Sequence, residues 1–305
     1  MLLDDVVRFC DEKYSSYWKN CGCENGVCNH PSGECSGSCY NCLYHIHYPD
    51  RAPANAKTLY DCPKMIYHYV CQYSYLYTTE LLCALRHGWS YIMNNPYHHI
   101  LSLGCGGCAD LMAFEQLQQE KRIEVPISYI GVDVNKLWQP VHSCIHKYFE
   151  GSGIKINTQY YDVFDIFNDT NVTNANIIIM SYLISSLYNT DQIQFVEELA
   201  DNIVERILKK KKSNQPLLFI INDINSNRRG RDYFEDFEKA IRKSSLTIEK
   251  REYKYFDDGN LINPQRMGTP YDLKKVEYDI PKDIKQKYHA QASVQKTVQL
   301  LLGVR

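Results

Sequence analysis

The chain has 305 residues, 44% of them hydrophobic, with a formal net charge of −2 and a sequence isoelectric point of about 6.5. That length supplies one full core plus a smaller module, and the balanced charge excludes a global basic field that would draw it to nucleic acid or a membrane. No apolar run approaches the ~20 residues that span a bilayer, and Met1 to Val7 lacks the features of a secretory signal, so the expected location is cytoplasmic.

Leu2, Leu3, Val6, Val7 and Cys10 recur near the helical period and predict a short helix over 1–18. Cys21, Cys23, Cys28, Cys35, Cys39 and Cys42 then fall within 22 residues, interleaved with His30, His45 and His47. The intervening Gly, Ser, Asn and Pro cannot bury enough apolar surface to order the segment. Thiolate and imidazole coordination can do so, and zinc is the ion such ligands suit. Close spacing favours Cys35, Cys39 and Cys42 in one site, with Cys21, Cys23, Cys28 and His30 able to make a second. One or two zinc ions are expected. Cys35-x3-Cys39-x2-Cys42 also matches the iron–sulfur spacing of radical S-adenosylmethionine enzymes, but Asn41 stands where those often have an aromatic residue.

From Tyr60 to about Met93 the pattern is helical and rich in tyrosine, including Tyr67, Tyr69, Tyr73, Tyr75 and Tyr77. Strands are then predicted over 99–103, 127–132, 155–161, 176–180, 216–222 and 246–256, and helices over 109–120, 136–149, 191–209 and 232–243. This alternation predicts a doubly wound, mainly parallel α/β sheet. Residues 283–302 read as a terminal helix with Val294, Val298, Leu301 and Leu302 on one side.

The first strand of that core runs into Gly104-Cys105-Gly106-Gly107, and the second ends in Asp133. Glycines let a backbone approach a ligand closely, and a carboxylate at the second strand end can hold ribose hydroxyls. With "LGCGGCADL", "YIGVDVN", "YYDVFDI" and "NIIIMSYLISSLY" in this order, residues 96–280 resemble the class I S-adenosylmethionine-dependent methyltransferases. The resemblance implies a seven-stranded Rossmann-like sheet whose last strand, about 274–279, is antiparallel. With the Cys/His-rich segment, it divides the chain into 1–60 (zinc module with a short leading helix), 61–95 (helical, tyrosine-rich connector and cofactor cover) and 96–305 (methyltransferase domain).

It further implies S-adenosylmethionine as cofactor. Gly104, Cys105 and Gly106 fall on its methionine and ribose side, Asp133 at the ribose, and Asp162 and Val163 at the adenine, with Val134 a further cofactor-binding residue. Ser181 and Tyr182 line the path to the methyl acceptor. Ser102 stands where the family often has an acid, and Asp110 is the candidate replacement. Tyr182 and Asp223 are candidate bases. Tyr67, Tyr75 and Tyr77 are candidates for the cofactor cover, and Arg228, Arg229 and Arg231 could hold a substrate phosphate or carboxylate. The acceptor is left open, with RNA or a ribonucleoprotein preferred over a protein or small molecule. The alternative is a non-catalytic, zinc-bearing binding protein on a degenerate methyltransferase fold.

Overall fold

A computed structural model describes residues 1–17, 38–57, 59–165, 170–211, 215–226, 229–256, 268–294 and 297–305. Helices α1 (Leu2–Tyr17), α2 (Cys39–His47) and α3 (Pro63–Ile92) precede the sheet. The alternating core follows as β1 (His98–Leu103), α4 (Ala109–Lys121), β2 (Ile127–Val132), α5 (Gln139–Tyr148), β3 (Lys155–Gln159) and β4 (Ile177–Ser181). Next come α6 (Leu183–Asn189), α7 (Val196–Asn202), β5 (Leu217–Ile224), α8 (Phe234–Lys243), β6 (Ile248–Tyr255), β7 (Thr269–Pro270), α9 (Lys282–Tyr288) and β8 (Thr297–Val304).

The strands lie in the order β3-β2-β1-β4-β5-β8-β6-β7. The first five are mutually parallel, and β8 runs antiparallel between β5 and β6. Central strands covered on both faces need no polar alternation, which is why β4 can read Ile-Ile-Ile-Met-Ser. One apolar cluster joins α1, α3, α4 and α5 to one face of the sheet. A second joins α7 and α8 to the other. The leading helix thus buries Leu2, Leu3, Val6 and Val7 in the same cluster as Ile100 and Tyr129 of the sheet.

Most expected elements form, with ends shifted by a few residues. The C-terminus differs in kind. The expected helix over 283–302 is helical only to Tyr288, and the antiparallel strand is β8 rather than 274–279. Leu300, Leu301 and Leu302 are all fully buried, Leu301 against one face and its neighbours against the other. A strand enclosed on both sides has no hydrophobic period, so its apolar residues mimic a helix face. The expected helix over 191–209 is a 3-10 turn, α7 and then a π-helical stretch over Ile203–Leu208. Helix α6 was not expected. Residue pairs in β7 add a short eighth strand to the seven anticipated.

The β8 assignment is testable at Leu300, which a one-sided terminal helix would leave off its apolar face. Leu300→Ala is expected to cost about 2–5 kcal/mol by urea unfolding, the usual range for a truncated core leucine. A cost below about 0.5 kcal/mol, typical of surface positions, would contradict the strand.

Candidate cofactor site

The parallel strands reverse their order between β1 and β4, and in open α/β sheets ligands bind beyond the carboxyl ends at such a point. The β1–α4 turn stands there. Gly104 and Gly106 have φ of 70° and 47°, a region closed to most side chains. The amides of Gly104 and Cys105 both donate to Val132 O, at 2.8 and 2.9 Å. The Gly106 amide donates to Asp133 Oδ2 and the Asn135 amide to Asp133 Oδ1, each at 2.9 Å. The end of β2 therefore holds the turn, and the turn holds the carboxylate. Each carboxylate oxygen keeps acceptor capacity for a ligand. Beside it Val134 is 66% exposed, an apolar side chain turned to solvent at a strand end.

Asp162 accepts from the Phe164 amide at 3.1 Å in the turn after β3, and Val163 is buried in the second apolar cluster. Ser181, at the end of β4, accepts from Asn222 Nδ2 at 3.1 Å. Asp110 is 2% exposed, beneath the turn, where Tyr129 Oη donates to it at 3.0 Å. Burial first, then the Cys108 sulfur, push its carboxyl up to about 7.

Neither candidate base faces the site as a free acceptor. Asp223 is fully buried and accepts from the Ser185 amide at 3.2 Å, which caps α6. Gly230 packs on it so closely that a β-carbon would stand 2.4 Å from its Oδ1. Burial, against several hydrogen bonds, raises it to about 6. Tyr182, at φ 56°, donates its hydroxyl to Glu80 at 2.9 Å and lies 2.8 Å from Thr297 Oγ1. Burial and the Glu80 carboxylate hold that phenol well above its ordinary range.

Glu80 is the residue sequence reasoning missed. It lies mid-helix in α3, fully buried, and its carboxylate accepts from Tyr182, Thr297 and Asn222 at 2.8–3.1 Å. Gln299 donates to both Glu80 O and Asn222 Oδ1. This network ties α3 to the ends of β5 and β8. No local pattern marks a lone glutamate in a tyrosine-rich helix as a hub.

The tyrosines divide by helix face. Tyr67 and Tyr75 are core residues, Tyr75 bonded to Asp4 of α1, so the expectation that they cover the cofactor is corrected. The four-residue spacing of Tyr69, Tyr73 and Tyr77 puts those half-buried rings on one face instead. Tyr69 meets Trp138 at 5.5 Å, Tyr73 stacks on Tyr77 at 5.4 Å, and Tyr77 meets Tyr182 at 4.5 Å. Trp138 in turn lies under Gly106 and Gly107. An aromatic row so runs from the glycine turn to the end of β4.

Arg231 is 6% exposed and bonded to Asn225 at 2.7 Å. Arg229 pairs with Asp50 and lies over the Tyr188 ring. Arg228 lies outside the described residues, as do Cys21, Cys23, Cys28, His30 and Cys35. Cys39 and Cys42 are three apart on α2, and they pack with Cys62 and Met65 in a small buried cluster.

A glycine turn at the switch point, an acid at the end of β2, and an antiparallel strand inserted before the edge complete one topology. The chain has the class I methyltransferase fold. No protein-family model matches the chain, and no curated protein matches it. Solved structures that it is similar to include a Listeria monocytogenes protein assigned to the class I S-adenosylmethionine-dependent methyltransferases, at 12% identity and TM-score 0.45, covering 99% of this chain and 87% of that one. Another is the magnesium protoporphyrin IX methyltransferase of Synechocystis with bound S-adenosylmethionine, at 9% and 0.42, covering 88% and 97%. A third is the [4+2]-cyclase SpnF, at 10% and 0.40, covering 74% and 78%. The fold assignment rests on the strand order.

Burial dominates the raised pKa of Glu80, held at about 7, as it does for Asp110 and Asp223. A carboxyl raised on folding stabilises fully below its unfolded value, and that stability is lost as pH rises through the folded one. For Glu80 the window runs from 4.5 to about 7, worth about 3 kcal/mol. Glu80→Gln mimics the protonated acid, with one accepting oxygen and a donating amide nitrogen, and cannot ionise. Urea unfolding at pH 5 and pH 8 should show the variant gaining on the native chain at pH 8 by up to about 3 kcal/mol. An identical difference at both pH values would show that Glu80 does not titrate there.

Proposed function

We propose that this chain is an S-adenosylmethionine-dependent methyltransferase. The observation that carries the reading is the Asp133 carboxylate, fixed by the Gly106 and Asn135 amides at the switch point. A carboxylate so placed suits the two ribose hydroxyls of an adenosine cofactor. Exposed Val134 offers an apolar contact for the adenine, with Asp162 and Val163 at the next strand end. Gly104, Cys105 and Gly106 supply close backbone for the methionine half, and Ser181 and Tyr182 line the acceptor side.

When bound, the cofactor supplies a sulfonium-activated methyl group, so aligning the acceptor is much of the catalysis. Tyr182 is held in place by Glu80 and Thr297, and by contact with Tyr77. Its high pKa makes it a positioning group and not a base at neutral pH. The enclosed Asp223 caps α6. With neither available to take a proton, the proposed acceptor atom is one whose attacking lone pair is already free of a proton.

For the acceptor, RNA or a ribonucleoprotein comes first in this proposal, then a protein or a small molecule. The row of Tyr69, Tyr73 and Tyr77 supports a flat ring, since bases stack on aromatic side chains. The engaged guanidinium groups of Arg229 and Arg231 lend no such support. Zinc enters as a structural ion for the cysteine-rich segment, where Cys39 and Cys42 contribute buried thiols and the remaining proposed ligands come from 21–35.

Calorimetric titration with S-adenosylmethionine should give micromolar affinity. Asp133→Ala should weaken it at least tenfold, since a hydrogen bond to a charged group is worth about 1.5–3 kcal/mol. Absence of binding to the native chain would favour the non-catalytic reading. Unchanged affinity in the variant would remove Asp133 from the ribose.

A further inference from the structure

Beneath the glycine turn lies a second constellation that methyl transfer does not use. Cys105 Sγ, Cys108 Sγ and a His142 ring nitrogen all lie within 4.8 Å of one another. The three residues are 7%, 0% and 1% exposed. Cys105 belongs to the turn, Cys108 precedes α4 at φ 59°, and His142 arrives from α5. Two thiols and an imidazole from separate elements thus converge on one enclosed point. Gly131 of β2 leaves the room: a β-carbon there would stand 3.0 Å from Cys105 Sγ and 3.1 Å from Tyr129 Oη.

We propose that Cys105, Cys108 and His142 form a binding site for a thiophilic divalent cation, zinc foremost, clamping the glycine turn to α5. Sulfur and nitrogen donors suit zinc and exclude magnesium and calcium, which take oxygen. A Cys-x-x-Cys pair alone would equally suit a disulfide; the imidazole, from 34 residues beyond Cys108, is the donor a disulfide does not need.

His142 Nε2 lies 2.8 Å from Gly106 O, and Nδ1 lies 2.8 Å from Tyr160 Oη. On binding, the two thiols release their protons to solvent. Without metal the ring proton sits on Nε2, donated to the Gly106 carbonyl; binding shifts it to Nδ1, which then donates to Tyr160 Oη and leaves the Nε2 lone pair for the metal. An outer partner of this kind commonly fixes the tautomer of a ligating histidine. The Tyr129 hydroxyl stands beside Cys105 over the same glycine and closes another side. A cation here would anchor the floor of the turn while the Gly106 amide points to Asp133.

The test uses the full chain, stripped with chelator and assayed with zinc chloride alone. Alkylation of individual cysteines is followed by peptide mass spectrometry, in mild denaturant, with and without zinc. Zinc should slow alkylation of Cys105 and Cys108 at least tenfold and leave half-buried Cys144, outside the cluster, unchanged. In parallel, zinc bound per chain after dialysis should fall by one on His142→Ala. Equal rates at Cys105 and Cys108 with and without zinc would overturn the proposal whether or not the variant folds. So would a Cys105–Cys108 disulfide as the resting state of anaerobically purified chain.

Discussion

The hydrogen bond from the Gly106 amide to the Asp133 carboxylate is the constraint on which the cofactor end of the molecule depends. It joins two strand ends that are 27 residues apart in sequence. It works only because the backbone at 104 and 106 adopts positive φ, which turns successive amides toward β2. Without those angles Val132 O and Asp133 Oδ2 would lose the donors that the turn supplies. The same bond orients a negative group outward at the topological switch point. Fold and chemistry thus meet in one contact.

Around that contact the structure places two further supports of different character. Below the turn are Cys105, Cys108, His142, Tyr129 and Asp110, polar groups enclosed by apolar neighbours. Across the strand ends runs the Glu80 network, which draws α3 onto β5 and β8 through Tyr182, Asn222, Thr297 and Gln299. Buried groups of this kind are costly unless satisfied. Here the donors and acceptors come from elements far apart in the chain. The network therefore specifies how α3 seats over the sheet, and it brings the row of Tyr69, Tyr73 and Tyr77 to Tyr182 at the end of β4.

Much of this was legible in the sequence because the signal was local. The glycine run, the acid ending β2, the fourth strand and the general alternation of strands and helices all read correctly in outline. What failed was non-local. Residues 297–304 look like one side of a helix only because both faces of β8 are buried. Which tyrosines join the aromatic row depends on how α1 packs against α3; Tyr75 is taken by Asp4. Glu80 becomes a hub through Thr297, a partner 217 residues away. Cys105, Cys108 and His142 were each visible, but only the fold brings the imidazole to the thiols. For the cysteine-rich segment, spacing grouped Cys39 and Cys42, and Ser38 caps a helix that carries both on its buried face.

In the proposed function the Gly104–Gly106 turn and Asp133 together seat an adenosine cofactor. Amide resonances give the most direct reading, because each position reports separately. On titration with S-adenosylmethionine, the amides of Gly104, Gly106, Asp133 and Val134 should shift most and saturate together, with those of α8 and β6 unmoved. Saturable shifts that spare the turn and Asp133, or no shifts at millimolar cofactor, would contradict the account.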